Sequence, residues 1–185
     1  MRFLRIISIV TCFLLTGVAA FAAEDGFGAA KKIQGQHFEV FYAPQLDPYA
    51  LLASLNVGPA EVLLSEGPRS KGEGLTVALD TLYNIVMQAL DMNLYSHQGI
   101  IKVCSDRDHL NRVYRSIFGR ELRSSSFYIN EYNTIYISAN DFTKEILGHE
   151  IAHMIISHYF VVQPPEKVAE ILAGYVEYQL RKPSR

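Results

Sequence analysis

The segment Asp141-Phe142-Thr143-Lys144-Glu145-Ile146-Leu147-Gly148-His149-Glu150-Ile151-Ala152-His153-Met154-Ile155-Ile156-Ser157-His158-Tyr159-Phe160 decides how the rest of the chain is read. Its apolar residues, from Ile146 to Ile156, recur on nearly every side of a helix, and a helix of that kind is predicted to be buried. Ser138, Asn140 or Asp141 is available as the N-cap. His149 and His153 stand four positions apart, one turn on and only about 40° round a helix, so both imidazoles leave one face and can hold one ion. A zinc ion held there lowers the pKa of a bound water to roughly 7, and Glu150, next to the first histidine, is placed to take the proton. Random order would give His-Glu-x-x-His in a chain of this composition about once in a hundred. A solvated polar face explains the pattern poorly, because buried imidazoles and carboxylates need partners.

A catalytic zinc needs a third protein ligand and an open position. A histidine six positions beyond His153 would supply one, but that position is Tyr159, and the glycine expected between is Ile156. His158 is one position off, turned well away from the ligand face, and is expected to be structural or exposed. The next helix is predicted to begin after Pro164-Pro165 and run to about Leu180. It holds Glu170 among Val168, Ile171, Leu172 and Tyr175, where a carboxylate is costly to bury unless paired or metal-bound. Glu170 is therefore the candidate third ligand, while Glu166 and Glu177 are expected to be solvated. The two-proline connection is short enough to return Glu170 to the face of His149 and His153.

These residues resemble the gluzincin clan of zinc metallopeptidases, in which the two histidines of HExxH and a glutamate from a following helix bind the metal. Glu170, Ala173 and Tyr175 after Pro165 are similar to the glutamate helix of small peptidase-MA-like and minimal gluzincin domains. The resemblance implies an α+β, zincin-like fold: a small mixed sheet with an edge hairpin over a backing helix, an HExxH active-site helix and a C-terminal glutamate helix. It implies one zinc ion, a peptide or protein substrate, and Glu150 as general base. It also implies that the outer hairpin strand, Ser125, Ser126, Phe127, Tyr128, Ile129 and Asn130, pairs with an extended peptide; these aromatics are equally able simply to cover the sheet. Tyr175, Tyr159 and His158 are the candidates for stabilising an oxyanion. The chain departs from the pattern at Ile171, where many relatives carry Gly, and at Gly174, where one branch carries an Asp that supports a ligand.

The termini and totals bound the setting. Met1–Ala22 has Arg2 and Arg5, an apolar run from Ile6 to about Val18, and Ala20-Phe21-Ala22, so residues 1–22 are expected to be a cleaved signal peptide. The apolar run is shorter than the roughly 20 residues of a spanning helix, so no stable membrane span is expected after cleavage. The expected location is outside the cytoplasm, periplasmic or secreted. The segment holds two arginines and no acid, so its removal makes a chain of net charge −2 more acidic still. That balance, without a basic stripe, argues against nucleic acid as a partner. Of the 2 cysteines only Cys104 remains, which excludes an internal disulfide and a Cys-rich zinc site. Set in the run Ile100 to Cys104, it is expected to be a buried apolar residue.

Residues 23–36 are expected to be a flexible spacer and 37–185 a single domain, since 49% hydrophobic residues suffice to fill one core. His37–Tyr42 predicts a strand, Asp47-Pro48 the start of a short helix, and Gly67–Gly74 a mobile loop. The spacing of Leu75, Leu79, Leu82, Ile85, Val86 and Leu90 predicts a long helix with one face on a core. Gly99–Cys104 predicts a strand, Asp106–Phe118 a helix ended by Gly119, and Phe127–Ile129 with Thr134–Ile137 a hairpin.

Two other functional classes fit the same residues. One is a zinc-binding but non-hydrolytic module that holds a protein or peptide of the cell envelope. The other is a purely structural cluster of His149, His153 and Glu170.

Overall fold

The computed structural model describes residues 25–57 and 71–182. The expected signal peptide, and residues 67–70 of the expected loop, lie outside the described residues. The apolar run at Gly99–Cys104 becomes β3, the central strand of a sheet ordered β1-β2-β3-β5-β4. Its neighbours β2 (Phe38–Tyr42) and β5 (Thr134–Ser138) both run parallel to it. The outer strands β1 (Lys31–Gln34) and β4 (Ser126–Ile129) are antiparallel to their neighbours, so the sheet is mixed and the fold is α+β.

Strand alternation sorts side chains onto two faces. Phe38, Val40, Ile101, Val103, Ile135 and Ile137 face the larger core, against helices α1 (Pro48–Leu55), α2 (Lys71–Leu90), α4 (Lys144–Tyr159) and α5 (Glu166–Arg181). Cys104, Ile129 and Tyr136 face a smaller core with Phe27 and with Leu110 and Val113 of α3 (Arg107–Phe118). Asp47 caps α1 by accepting from the Tyr49 amide, and Asp106 caps α3 by accepting from His109. Gly119, at φ 68°, ends α3 in the left-handed region that favours glycine.

The hairpin and the strand at Gly99–Cys104 fall as expected, and three expectations are corrected. Residues 25–36 are part of the fold rather than a spacer: Lys31–Gln34 pair with β2, and Asp25 and Phe27 are buried. The helix α2 already includes Gly72 and Gly74, expected in a loop. A Cβ on Gly72 would lie 2.9 Å from Ile33 Cγ2, so this glycine lets the helix approach β1 closely. Finally, α4 is capped by Thr143, whose hydroxyl accepts from the Ile146 amide 3.4 Å away, and not by Ser138, Asn140 or Asp141. Ala139–Asp141 form a separate 3₁₀ turn capped by Ser138, and the buried Asp141 carboxylate takes a two-pronged contact from Arg107.

Candidate metal centre

Helices α4 and α5 form an antiparallel pair. Leu147, Gly148, Ile151, Ala152 and Ile155 of α4 are buried, as are Ala173, Val176 and Leu180 of α5. The approach is closest at Gly148, where a Cβ would fall 2.2 Å from Leu180 Cδ1. Burying that stripe turns the histidine face of α4 toward the α5 face that carries Glu170.

The two imidazoles meet Nε2 to Nε2 at 3.1 Å. Glu170 lies against both, one carboxylate oxygen 3.6 Å from His149 Nε2 and the other 3.3 Å from His153 Nε2. The three side chains are the one metal-capable cluster among the described residues, each offering an atom within 4.8 Å of the others. A tetrahedral site with bonds of about 2.0–2.1 Å has ligand-to-ligand edges of about 3.3–3.4 Å, close to the imidazole separation and to the approach of each imidazole to its nearer Glu170 oxygen. The donor set, two nitrogens and a carboxylate, also suits zinc. Burial and the neighbouring His149 lower the pKa of His153, with Glu170 acting the other way, which favours the neutral imidazole that metal binding requires.

Glu150 is buried beside this cluster, and its Oε1 accepts a hydrogen bond of 2.7 Å from the Ser126 hydroxyl on β4. Burial pushes its carboxyl above the usual range, against the lowering effects of Ser126 and His149. A carboxylate tuned upward is a better general base near neutrality than an exposed one. Both groups open on a cleft of about 890 Å³ lined by Ser126, Phe127, Tyr128, Ile129 and Asn130 on one side and by Glu166, Ala169 and Glu170 on the other. Among the described residues β4 pairs only with β5, and its outer edge borders the cleft. Ser125, whose carbonyl accepts from the Ser138 amide, lines a neighbouring cavity instead.

Glu170 sits where the spacing placed it, for a reason other than burial. It is 55% exposed, and Val168, Ile171 and Tyr175 around it face solvent as well. The buried face of α5 is the one through Ala173, Val176 and Leu180. None of Tyr175, Tyr159 and His158 lines the cleft. Tyr175 is five residues past Glu170 and so about 140° away round the helix. Tyr159 packs on Phe160 at the far end of α4, and His158 contacts the Met154 carbonyl and lies tilted against His97. Cys104 is buried, with its thiol pushed up to about 12 by burial and by Asp25 and Asp106, as fits an inert core residue.

Two contacts were missed by the sequence reading. The Ser126 hydroxyl bond to Glu150 joins residues far apart in the chain, with no local signal. Glu177 was read as solvated, yet its Oε2 lies 3.3 Å from His149 Nδ1 and its Oε1 pairs with Arg181. Its seven-residue step from Glu170, which keeps both on one helix face, is the signal that was available. Comparison of the chain with protein-family models, with curated proteins and with solved structures gives no match.

Proposed function

We propose that this chain is an exported, zinc-dependent peptidase with a zincin-like fold of the gluzincin kind, acting in the periplasm or after secretion. The observation that carries the reading is the cluster of His149, His153 and Glu170, in which one donor atom from each residue lies within 4.8 Å of the others and the two imidazoles meet at 3.1 Å. His149 and His153 would hold the ion from α4 and Glu170 would close the set from α5, and zinc held there would supply a Lewis acid for a carbonyl and for water. Glu150, buried and bonded to Ser126, takes the water's proton and returns it to the leaving amine. The outer edge of β4, which lines the cleft, offers backbone groups to an extended peptide.

A second reading is favoured by one specific observation: none of the tyrosines and histidines proposed as oxyanion donors lines the cleft. A chain with ligands and base but without that donor would be a zinc-containing peptide- or protein-binding module. Metal analysis and a peptide-library cleavage assay on the mature chain separate the readings. About one zinc per chain is expected, largely lost in His149→Ala and His153→Ala. Glu150→Gln should keep zinc while cleavage falls by at least about 10²-fold, whereas Glu170→Ala should lose both. Zinc without cleavage in the parent would establish the binding module. Stoichiometric zinc in His149→Ala would overturn the metal site itself and leave a structural hydrogen-bonded cluster.

A further inference from the structure

A histidine that binds metal through Nε2 needs its other nitrogen fixed, because the ring otherwise turns about its side-chain bonds and presents the wrong tautomer. His149 faces the cluster with Nε2, leaving Nδ1 pointing back into the seam between α4 and α5. There Nδ1 is fully buried and has no hydrogen-bond partner among the described residues. The nearest acceptor is Glu177 Oε2 at 3.3 Å, off the line of a well-formed bond. Catalytic hydrogen bonds are often longer or less well aligned in the unligated state.

Three features make Glu177 more than a chance neighbour. It is seven residues beyond Glu170, two turns on the same face of α5, so the two carboxylates take the two nitrogens of His149 from one helix. It is only 27% exposed, which strengthens its field at the ring relative to a solvated acid. Its second oxygen is held by Arg181 one turn further on, which limits the carboxylate's rotation. The position that would be one turn after Glu170 is Gly174, which has no side chain to do this work.

We infer that Glu177 is the positioning residue of the metal site: its carboxylate accepts the Nδ1–H of His149, fixing the tautomer that leaves Nε2 free for the ion, and Arg181 anchors it. The inference rests on the proposed zinc site. It assigns the carboxylate–histidine–metal arrangement to Glu177.

The test is zinc affinity of the full mature chain, measured by competition with a chromogenic chelator, alongside the visible spectrum of the cobalt(II)-substituted protein. Glu177→Ala should bind zinc about 10–100-fold more weakly than the parent and shift the cobalt bands. Glu177→Gln, which still offers a carbonyl oxygen but no charge, should lose less. Glu166→Ala removes an acid from the same cleft without touching His149, and should leave affinity within about twofold. Because Glu177 acts through His149, adding Glu177→Ala to a His149→Ala chain should cost nothing further. Thermal melting of the metal-free variants, expected to match the parent, distinguishes lost positioning from lost fold. Unchanged affinity in Glu177→Ala would overturn the inference, as would equal losses in Glu177→Ala and Glu166→Ala, or a full further loss in the double variant. A parent that binds no zinc fails the proposed function first, and the inference with it.

Discussion

Removing the Asp25 carboxylate should destabilise the fold from a site remote from the candidate chemistry. Asp25 is 7% exposed; its Oδ1 accepts the Phe27 amide at 3.0 Å, and its Oδ2 accepts the Tyr136 hydroxyl at 2.7 Å and pairs with Lys102. Lys102 also lies over the rings of Phe27 and Tyr136, so its charge is enclosed by the smaller core. Asp25→Ala strips this ammonium of its counter-ion and leaves the Tyr136 hydroxyl without its acceptor. Breaking a buried pair on one side costs about 3–5 kcal/mol. Lys102 retains 15% exposure and can reach some water, so the lower end applies, about 3 kcal/mol. For a domain of this size that corresponds to a fall in Tm of about 6–12 °C, measurable by calorimetry at neutral pH. Lys102→Met added to Asp25→Ala should recover part of the loss, since it removes the stranded charge. The pH dependence has a definite sign. Burial raises the Asp25 carboxyl, but Lys102, Tyr136 and the Phe27 amide outweigh it and hold the pKa below 3.8. The contribution is then complete above about pH 4 and disappears as pH falls through the lowered folded value, so parent and variant should converge in acid. An Asp25→Ala protein melting within about 1 °C of the parent at pH 7 would refute the argument.

Two further outcomes follow from the seam between α4 and α5. Stripping metal with a chelator should lower Tm by roughly 5–10 °C relative to protein in zinc at about a hundred times its Kd, and adding zinc back should restore it; identical melting would count against a metal that bridges the helices. Gly148→Ala should cost about 1–3 kcal/mol in chemical denaturation, toward the lower value because the atom met is the end of the Leu180 side chain, and Leu180→Ala in the same chain should relieve the clash. A Gly148→Ala protein as stable as the parent would show that Leu180 moves aside at no cost.

The elements legible in advance are those whose signal is local. β3 follows from a run of branched residues, α3 from Asp106 at one end and Gly119 at the other, and the histidine pair from a four-residue step. β1 was not legible, because Lys-Lys-Ile-Gln carries no alternation of its own; it is a strand because β2 pairs with it and Ile33 packs on Gly72. The cap of α4 lies outside the expected set because Asp141, the candidate nearest the helix, is drawn off by Arg107 from another helix, while Ser138 caps the 3₁₀ turn. Glu170 was reached through an argument about burial that the exposed Ile171 and Tyr175 contradict. The reason that holds is geometric, a helix returning along α4 with its small and apolar face inward.

The two edges of the sheet are defended differently. β1 carries Lys31 and Lys32, with Lys32 paired to Glu39, and a neighbouring strand that docked there would have to desolvate those charges. β4 reads Ser-Phe-Tyr-Ile, with no charge along its length. Under the proposed function, unpaired backbone on such a strand would not distinguish a peptide from another copy of the same protein, so of the two described edges β4 is the one less protected against self-pairing. Concentrated protein should block its own cleft before it loses its fold, and a short peptide that fills the edge should act at once as a competitor and as a solubiliser.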